Sequence, residues 1–215
     1  MKIYTVLKVG EFLNGKKRVE YKPEHVVWMR DMCSVHAPGV EFVCLSDVDI
    51  PTVDVIPLEN GWAGWWSKIE LFRFSDVFYI DLDTVILRNI HHLIGLPGFH
   101  ALNSLSGHKH RNGRYVMGSG VMSWTGDYSH IYSGFDPKVI PEYSKHWAKW
   151  GDQGYIDERV SFRGFQDVFP TSIYSYKFSG IDTENPPGDI ICFHGKPKPW
   201  ETNHAWIPEI ISEKA

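Results

Sequence analysis

Val77-Phe78-Tyr79-Ile80-Asp81-Leu82-Asp83-Thr84-Val85-Ile86-Leu87 is an apolar run broken only by two carboxylates, one residue apart. Short, aromatic and β-branched, it reads as a strand buried on both faces. An unpaired carboxylate is costly to bury, so the two acids call for a compensating charge. A divalent cation takes oxygen ligands and can bridge to a phosphate, which makes it the simplest supply. In open α/β sheets the ligand crevice lies at the carboxyl ends of the strands, where these acids would sit. The bland alternative is a turn with two solvated acids, and the rest of the chain decides between the two.

Upstream, Ile3–Val9 reads as a first strand. Pro23, with Glu24 behind it, starts a helix whose apolar spacing runs through Val26, Met29, Cys33 and His36 to a stop at Pro38-Gly39. Strands over Phe42–Leu45 and Val53–Ile56 complete a β-α-β opening, which favours a parallel sheet with covering helices. Gly61 to Arg73 carries three tryptophans and a short helix capped by Ser67. Downstream, strands are expected over Phe99–Leu102, Tyr115–Trp124, Ile173–Tyr176 and Ile190–Phe193, with a helix over Pro137–Trp150. The polar, basic, glycine-punctuated stretch from Ser106 to Arg114 reads as a loop that orders over a ligand.

Composition narrows the class. The chain has 215 residues, 43% hydrophobic and 22% charged, which suits a single soluble domain over residues 1–215. A net charge of -4 gives no general pull toward nucleic acid or anionic membranes. The three cysteines are isolated in apolar patterns and read as reduced core residues. With no apolar run of about 18 residues and no secretory leader at Met1, the expected location is cytoplasmic.

Four groups stand at expected strand or helix ends: Asp81 with Asp83, Gly118-Ser119-Gly120, Gly151-Asp152-Gln153, and His194 with Lys196 and Lys198. Two carboxylates and an imidazole suit manganese or magnesium, and lysines beside them suit a diphosphate. Singly, each has a plainer reading: a helix cap at Asp152, a turn at His194, a solvated tail at the lysines. Together they describe a site for a metal-bound nucleoside diphosphate.

This set, in this order, resembles the glycogenin-like, family-8 glycosyltransferases. The resemblance rests on Tyr79-Ile80-Asp81-Leu82-Asp83-Thr84 (a DXD motif), preceded by Trp66-Ser67-Lys68-Ile69-Glu70-Leu71-Phe72. It continues in Gly120-Val121-Met122, Gly151-Asp152-Gln153-Gly154, and His194-Gly195 with Lys198-Pro199-Trp200. It implies an α/β fold of GT-A type, with a mixed, mostly parallel sheet, and a nucleotide-sugar donor, commonly UDP-linked. It also implies a manganese or magnesium ion on Asp81, Asp83 and His194. Carried over by position, Lys68 faces the donor, Ser119 and Gly120 approach the sugar, and Asp152 and Gln153 grip it near the anomeric carbon. Gly195 with Lys196 or Lys198 binds the diphosphate. The first 60 residues match poorly, and Lys8 and Asp47 are the candidates there for reading the base. With no dedicated base or nucleophile among the matched residues, the resemblance implies retention of configuration. The acceptor is open among a glycan, a lipid-linked glycan, a protein and a modified DNA base.

Two other classes compete. In a haloacid-dehalogenase-type phosphatase Asp81 would be the nucleophile and Asp83 the general acid, with Gly151-Asp152 holding magnesium. That nucleophile belongs on a first strand, whereas three strands precede it here. A non-catalytic sugar-binding module on Trp62, Trp65 and Trp66 would leave the lysines without a role.

Overall fold

The computed structural model describes residues 1–10, 21–144, 151–181 and 183–210. Its main sheet contains β1 (Lys2–Leu7), β2 (Phe42–Ser46), β3 (Asp54–Pro57), β4 (Val77–Ile80), β6 (Phe99–Asn103), β7 (Met117–Trp124) and β8 (Arg163–Gly164). These lie in the order β3-β2-β1-β4-β7-β6-β8. The first four strands are parallel, β7 runs antiparallel to both β4 and β6, and β8 pairs parallel with β6. A second sheet of three short strands, β5 (Thr84–Ile86), β10 (Ile190–Cys192) and β9 (Ile173–Ser175), has β10 at its centre. The mixed, mostly parallel α/β architecture is the expected one.

The decisive run is the place where expectation and structure part. Val77–Leu87 is not one strand. β4 ends at Ile80, a turn carries Asp81 to Asp83, and β5 resumes in the other sheet. Burial on both faces does hold for β4. Phe78 and Ile80 face the core under α1 (Pro23–His36), while Val77 and Tyr79 face the core on the other side. This is the period-2 alternation of a central strand. The acids thus sit at the seam between two sheets.

The second core lies beneath a 3-10 helix over Gly64–Arg73 and two short helices, α2 (His130–Ser133) and α3 (Gly151–Asp157). The Ser67 hydroxyl donates to the Gly64 carbonyl at 2.7 Å and does not cap the helix start. Of the helix expected over Pro137–Trp150, the structure has 3-10 turns at Pro137–Val139 and Glu142–Ser144, and residues 145–150 lie outside the described residues. The basic run Gly15 to Arg18 lies outside them as well. Trp66 and Trp62 pack on Phe135, with ring centroids 5.4 and 4.6 Å away, so Trp66 is a core residue and Trp62 a half-buried one packed against the core. Cys33, Cys44 and Cys192 are free and buried, as expected. Among the described residues, no helix is long and apolar enough to cross a membrane.

Candidate active site

A cleft of about 500 Å³ opens along the seam between the two sheets. Lys8, Lys68, Asp81, Asp83, Ser119, Gly120, Asp152, Gln153, His194, Gly195 and Lys198 all line it. Of the expected site residues, Asp47 and Lys196 do not. Asp47 accepts from the Val9 amide at 2.9 Å and pairs with Lys8, which joins the carboxyl ends of β1 and β2 just behind the cleft. Lys196 is exposed and pairs with Glu201 at 3.0 Å. Of the two lysines in the terminal motif, Lys198 is therefore the one that faces the cleft, and it is buried.

On the large-sheet wall the 3-10 helix delivers Lys68 into a carboxylate cluster. Its ammonium lies 3.1 Å from Asp81 and 3.1 Å from Asp152, and it donates to the Ser119 carbonyl and hydroxyl at 3.3 and 3.2 Å. The Ser119 hydroxyl in turn donates to Asp152 at 2.7 Å, and the Tyr79 hydroxyl donates to Asp81. Burial opposes the charge on Lys68, but Asp152 and Asp81 outweigh it and hold the lysine protonated well beyond its ordinary range. Burial first, and then Asp81, push the Tyr79 phenol up, so it stays a donor. The β7 backbone comes close here. The Asp81 amide donates to the Gly120 carbonyl at 2.8 Å, and a side chain at Gly120 would meet Asp81 Oδ2 at 3.2 Å. Glycine at 120 thus lets the β7 backbone lie against Asp81, and Gly118 lies against Leu102. Gly151 opens α3 at φ +60°, against the Trp65 ring, where no other residue fits without strain.

The small-sheet wall is built differently. Lys198 pairs with Asp83 and donates to the Tyr21 hydroxyl at 2.9 Å. Burial raises the pKa of Asp83 against the pull of Lys198, and the neighbouring charge of Asp81 adds to the rise. His194 follows β10, and its Nε2 shares a 2.7 Å hydrogen bond with the Ser175 hydroxyl on β9. Burial, Lys177 and Lys198 all lower its pKa, so its imidazole is neutral at neutral pH.

The compensating charge demanded by two acids in an apolar run is therefore present as two lysines, one for each acid. By donor type, two carboxylates and a neutral imidazole on one cleft fit a manganese or magnesium ion. Among the described residues no three such side chains converge on one point in this conformation. Four residues in or beside the cleft were given no site role in the sequence reading: Tyr79, Tyr21, Ser175 and Phe178. Tyr79 was within reach, because two residues apart on a strand means the same face as Asp81. Ser175 pairs in register with Cys192, two residues before His194, and only the sheet reveals that.

No protein-family model and no curated protein matches the chain. Solved structures do. The galactosyltransferase LgtC, in complex with donor and acceptor sugar analogs, superposes with a TM-score of 0.62 at 11% identity, covering 95% of this chain and 91% of that one. The chain has the GT-A glycosyltransferase fold. The glycosyltransferase GlyE of Streptococcus pneumoniae TIGR4 (TM-score 0.58, 16% identity) is matched over 95% of this chain and 57% of its own. The bifunctional WbbM (TM-score 0.52, 11% identity) is matched over 93% and 46%. The chain thus spans about half of those two larger proteins. In this fold Asp81 follows the fourth strand in sequence and Asp152 lies within a helix, which removes the placement a haloacid-dehalogenase-type phosphatase requires.

Proposed function

We propose that the chain is a metal-dependent glycosyltransferase that moves a sugar from a UDP-linked donor to an acceptor hydroxyl with retention of configuration. The observation that carries this is the convergence of both acid–lysine sets and His194 on one cleft, in a GT-A fold. Manganese or magnesium would be held by Asp81, Asp83 and His194. When bound, it would supply Lewis-acid stabilisation of the departing diphosphate. Lys198 and the Gly195 backbone would bind that diphosphate, and Lys68 would add positive charge behind Asp81. Asp152, fixed by Lys68 and Ser119, presents a carboxylate toward the sugar as its anomeric carbon becomes oxocarbenium-like, and Gln153 beside it grips the ring. With each carboxylate that lines the cleft among the described residues paired with a lysine, the leaving phosphate oxygen would take the acceptor proton on the same face.

The test uses water as acceptor. The protein is incubated with manganese, a panel of nucleotide sugars and oxygen-18 water. The expected products are nucleoside diphosphate and a sugar carrying the heavy oxygen. Heavy oxygen in inorganic phosphate, with simple phosphate esters also cleaved, would return the phosphatase reading. Calorimetry is the companion measurement: Asp81→Asn and Asp83→Asn should each abolish manganese-dependent binding of UDP while the fold survives. Undiminished binding in both would remove the metal assignment.

A further inference from the structure

Among the described residues most large aromatic side chains are buried or half-buried, but Phe178 is 54% exposed, and it lines the cleft. The ring lies on that of His194, with centroids 5.1 Å apart and planes 21° from parallel. One face is therefore covered, and the open area belongs to the other. Its turn is held in place. The Phe178 amide donates to the Ser175 hydroxyl at 3.0 Å, the Ser179 amide to the Ser175 carbonyl at 3.0 Å, and the Ser179 hydroxyl accepts from the Ser175 amide at 3.2 Å. A single exposed apolar side chain is ordinary on a protein surface, but this one lines the cleft beside a proposed metal ligand.

The register of the small sheet places this ring relative to the rest of the site. Thr84, Cys192 and Ser175 pair across β5, β10 and β9, and the Phe193 amide donates to the Asp83 carbonyl at 3.0 Å. One end of that sheet thus presents Asp83, then His194, then Phe178, in order away from the large sheet. The groups proposed to hold the metal come first and the aromatic ring last. Lys8 and Asp47, the candidates for reading the base, lie at the ends of β1 and β2, in the other sheet.

We propose that the cleft takes an acceptor presenting a pyranose ring, seated with a C–H face on the open face of Phe178. This rests on the glycosyltransferase reading and narrows the acceptor to a sugar. A pyranose has an apolar C–H face and a polar rim. It fits a negative π-face flanked by hydroxyl and amide side chains, as Ser104, Ser106 and Gln153 provide around this cleft. Stacked there, the acceptor enters from the side opposite Lys68 and Asp152, with the donor's anomeric carbon between them.

Saturation-transfer difference NMR on the full chain, with UDP and manganese present, tests this using methyl β-glucopyranoside and methyl β-galactopyranoside. At least one should bind, with saturation concentrated on the C–H protons of one ring face. Phe178→Ala should weaken its binding by about fivefold to tenfold, and Phe178→Tyr should stay within about twofold of wild type. Equal pyranoside affinity in wild type and Phe178→Ala would overturn the inference. So would intact UDP binding with no pyranoside bound, or a Phe178→Ala loss confined to UDP, which would make the ring a base platform. Failure of the wild type to bind UDP with manganese would instead overturn the glycosyltransferase reading, and the inference with it.

Discussion

The two walls of the cleft hold the same kind of chemistry by different means. On the large-sheet wall Asp81, Asp152, Lys68, Ser119 and Tyr79 form a closed network, with β4 and the eight-residue β7 setting their positions. On the small-sheet wall the strands are three residues long, and the partners of Asp83 come from far away in sequence. Lys198 is 115 residues from Asp83 and 177 from Tyr21. That second wall depends on a C-terminal segment pinned back on α1. His25 stacks on Trp200 with centroids 3.9 Å apart, and Trp28 donates to the Pro208 carbonyl at 2.9 Å. The lesson is one of division of labour. The large-sheet wall, proposed to face the sugar, comes with the fold, whereas the small-sheet wall, proposed to face the diphosphate, is completed by the segment from Lys198 to Pro208 packed on α1.

The sharpest way to break this contrast is to remove the cation at the centre of the closed network. Lys68→Met leaves the buried Asp152 beside the partly exposed Asp81 with no counter-charge, and should cost about 2–3 kcal/mol of stability once solvent screening of Asp81 is allowed for. Urea denaturation measures this. Adding Asp152→Asn should recover part of the loss, because one uncompensated charge disappears with it. A cost within about 1 kcal/mol would mean that the wall is not held by its ion pairs, since surface pairs are worth that little.

Much of the frame of both walls was legible in the sequence. Apolar runs with turn residues behind them located β1, β2, β6, β7, β9 and β10, and proline at one end with Pro38-Gly39 at the other located α1. The break in Val77–Leu87 was not legible, because an apolar residue reads the same whether its strand continues in one sheet or crosses to another. The identity of the counter-ions was hidden for a related reason. Lys68 and Lys198 stood in the matched motifs, but their pairing with Asp81 and Asp83 is a fact of tertiary structure. So is the difference between Lys196 and Lys198, two residues apart and facing opposite environments. Phe178 gave no signal at all, since exposure of one phenylalanine leaves no pattern.

A second prediction concerns how far the closed wall extends. The Asp157 carboxylate, buried at the end of α3, pairs with His110 at 2.8 Å and with Arg114, and accepts from the Met117 amide at 3.2 Å. The stretch read as an ordering loop is therefore a tight hairpin, bridged between Lys109 and Tyr115 and tied to the helix that carries Asp152. Asp157→Asn keeps the acceptor for Met117 but loses the charge for both bases, and should cost about 2 kcal/mol. Amide exchange over 106–116 should speed up by about tenfold, more than at β4. Equal exchange in variant and wild type would show that the hairpin is held by its own turn and does not belong to the wall.

The smallest expected effect probes the other wall, through the pin that holds the C-terminal segment. His25 accepts from the Lys22 amide at 2.9 Å through Nδ1, and its ring is buried against Trp200. Burial lowers its pKa from an ordinary 6.5 to about 4, although Glu24 works the other way. Below pH 6.5 the unfolded chain binds a proton at this histidine, and the native protein does not until about pH 4. The unfolded state therefore binds more protons in that window, and stability falls as the pH is lowered through it. The contribution is fully present above the unfolded value and gone below the folded one, and amounts to about 1–2 kcal/mol after allowing for partial solvation of the ring. His25→Gln retains an acceptor without titrating there, so the drop in stability between pH 7 and pH 4.5 should be smaller in this variant than in wild type. If the small-sheet wall depends on this pin, weakening of UDP binding should follow the same titration in wild type and be blunted in His25→Gln. Parallel acid profiles for the two proteins would show that the C-terminal segment is held elsewhere, and would erase the difference between the walls that the structure draws.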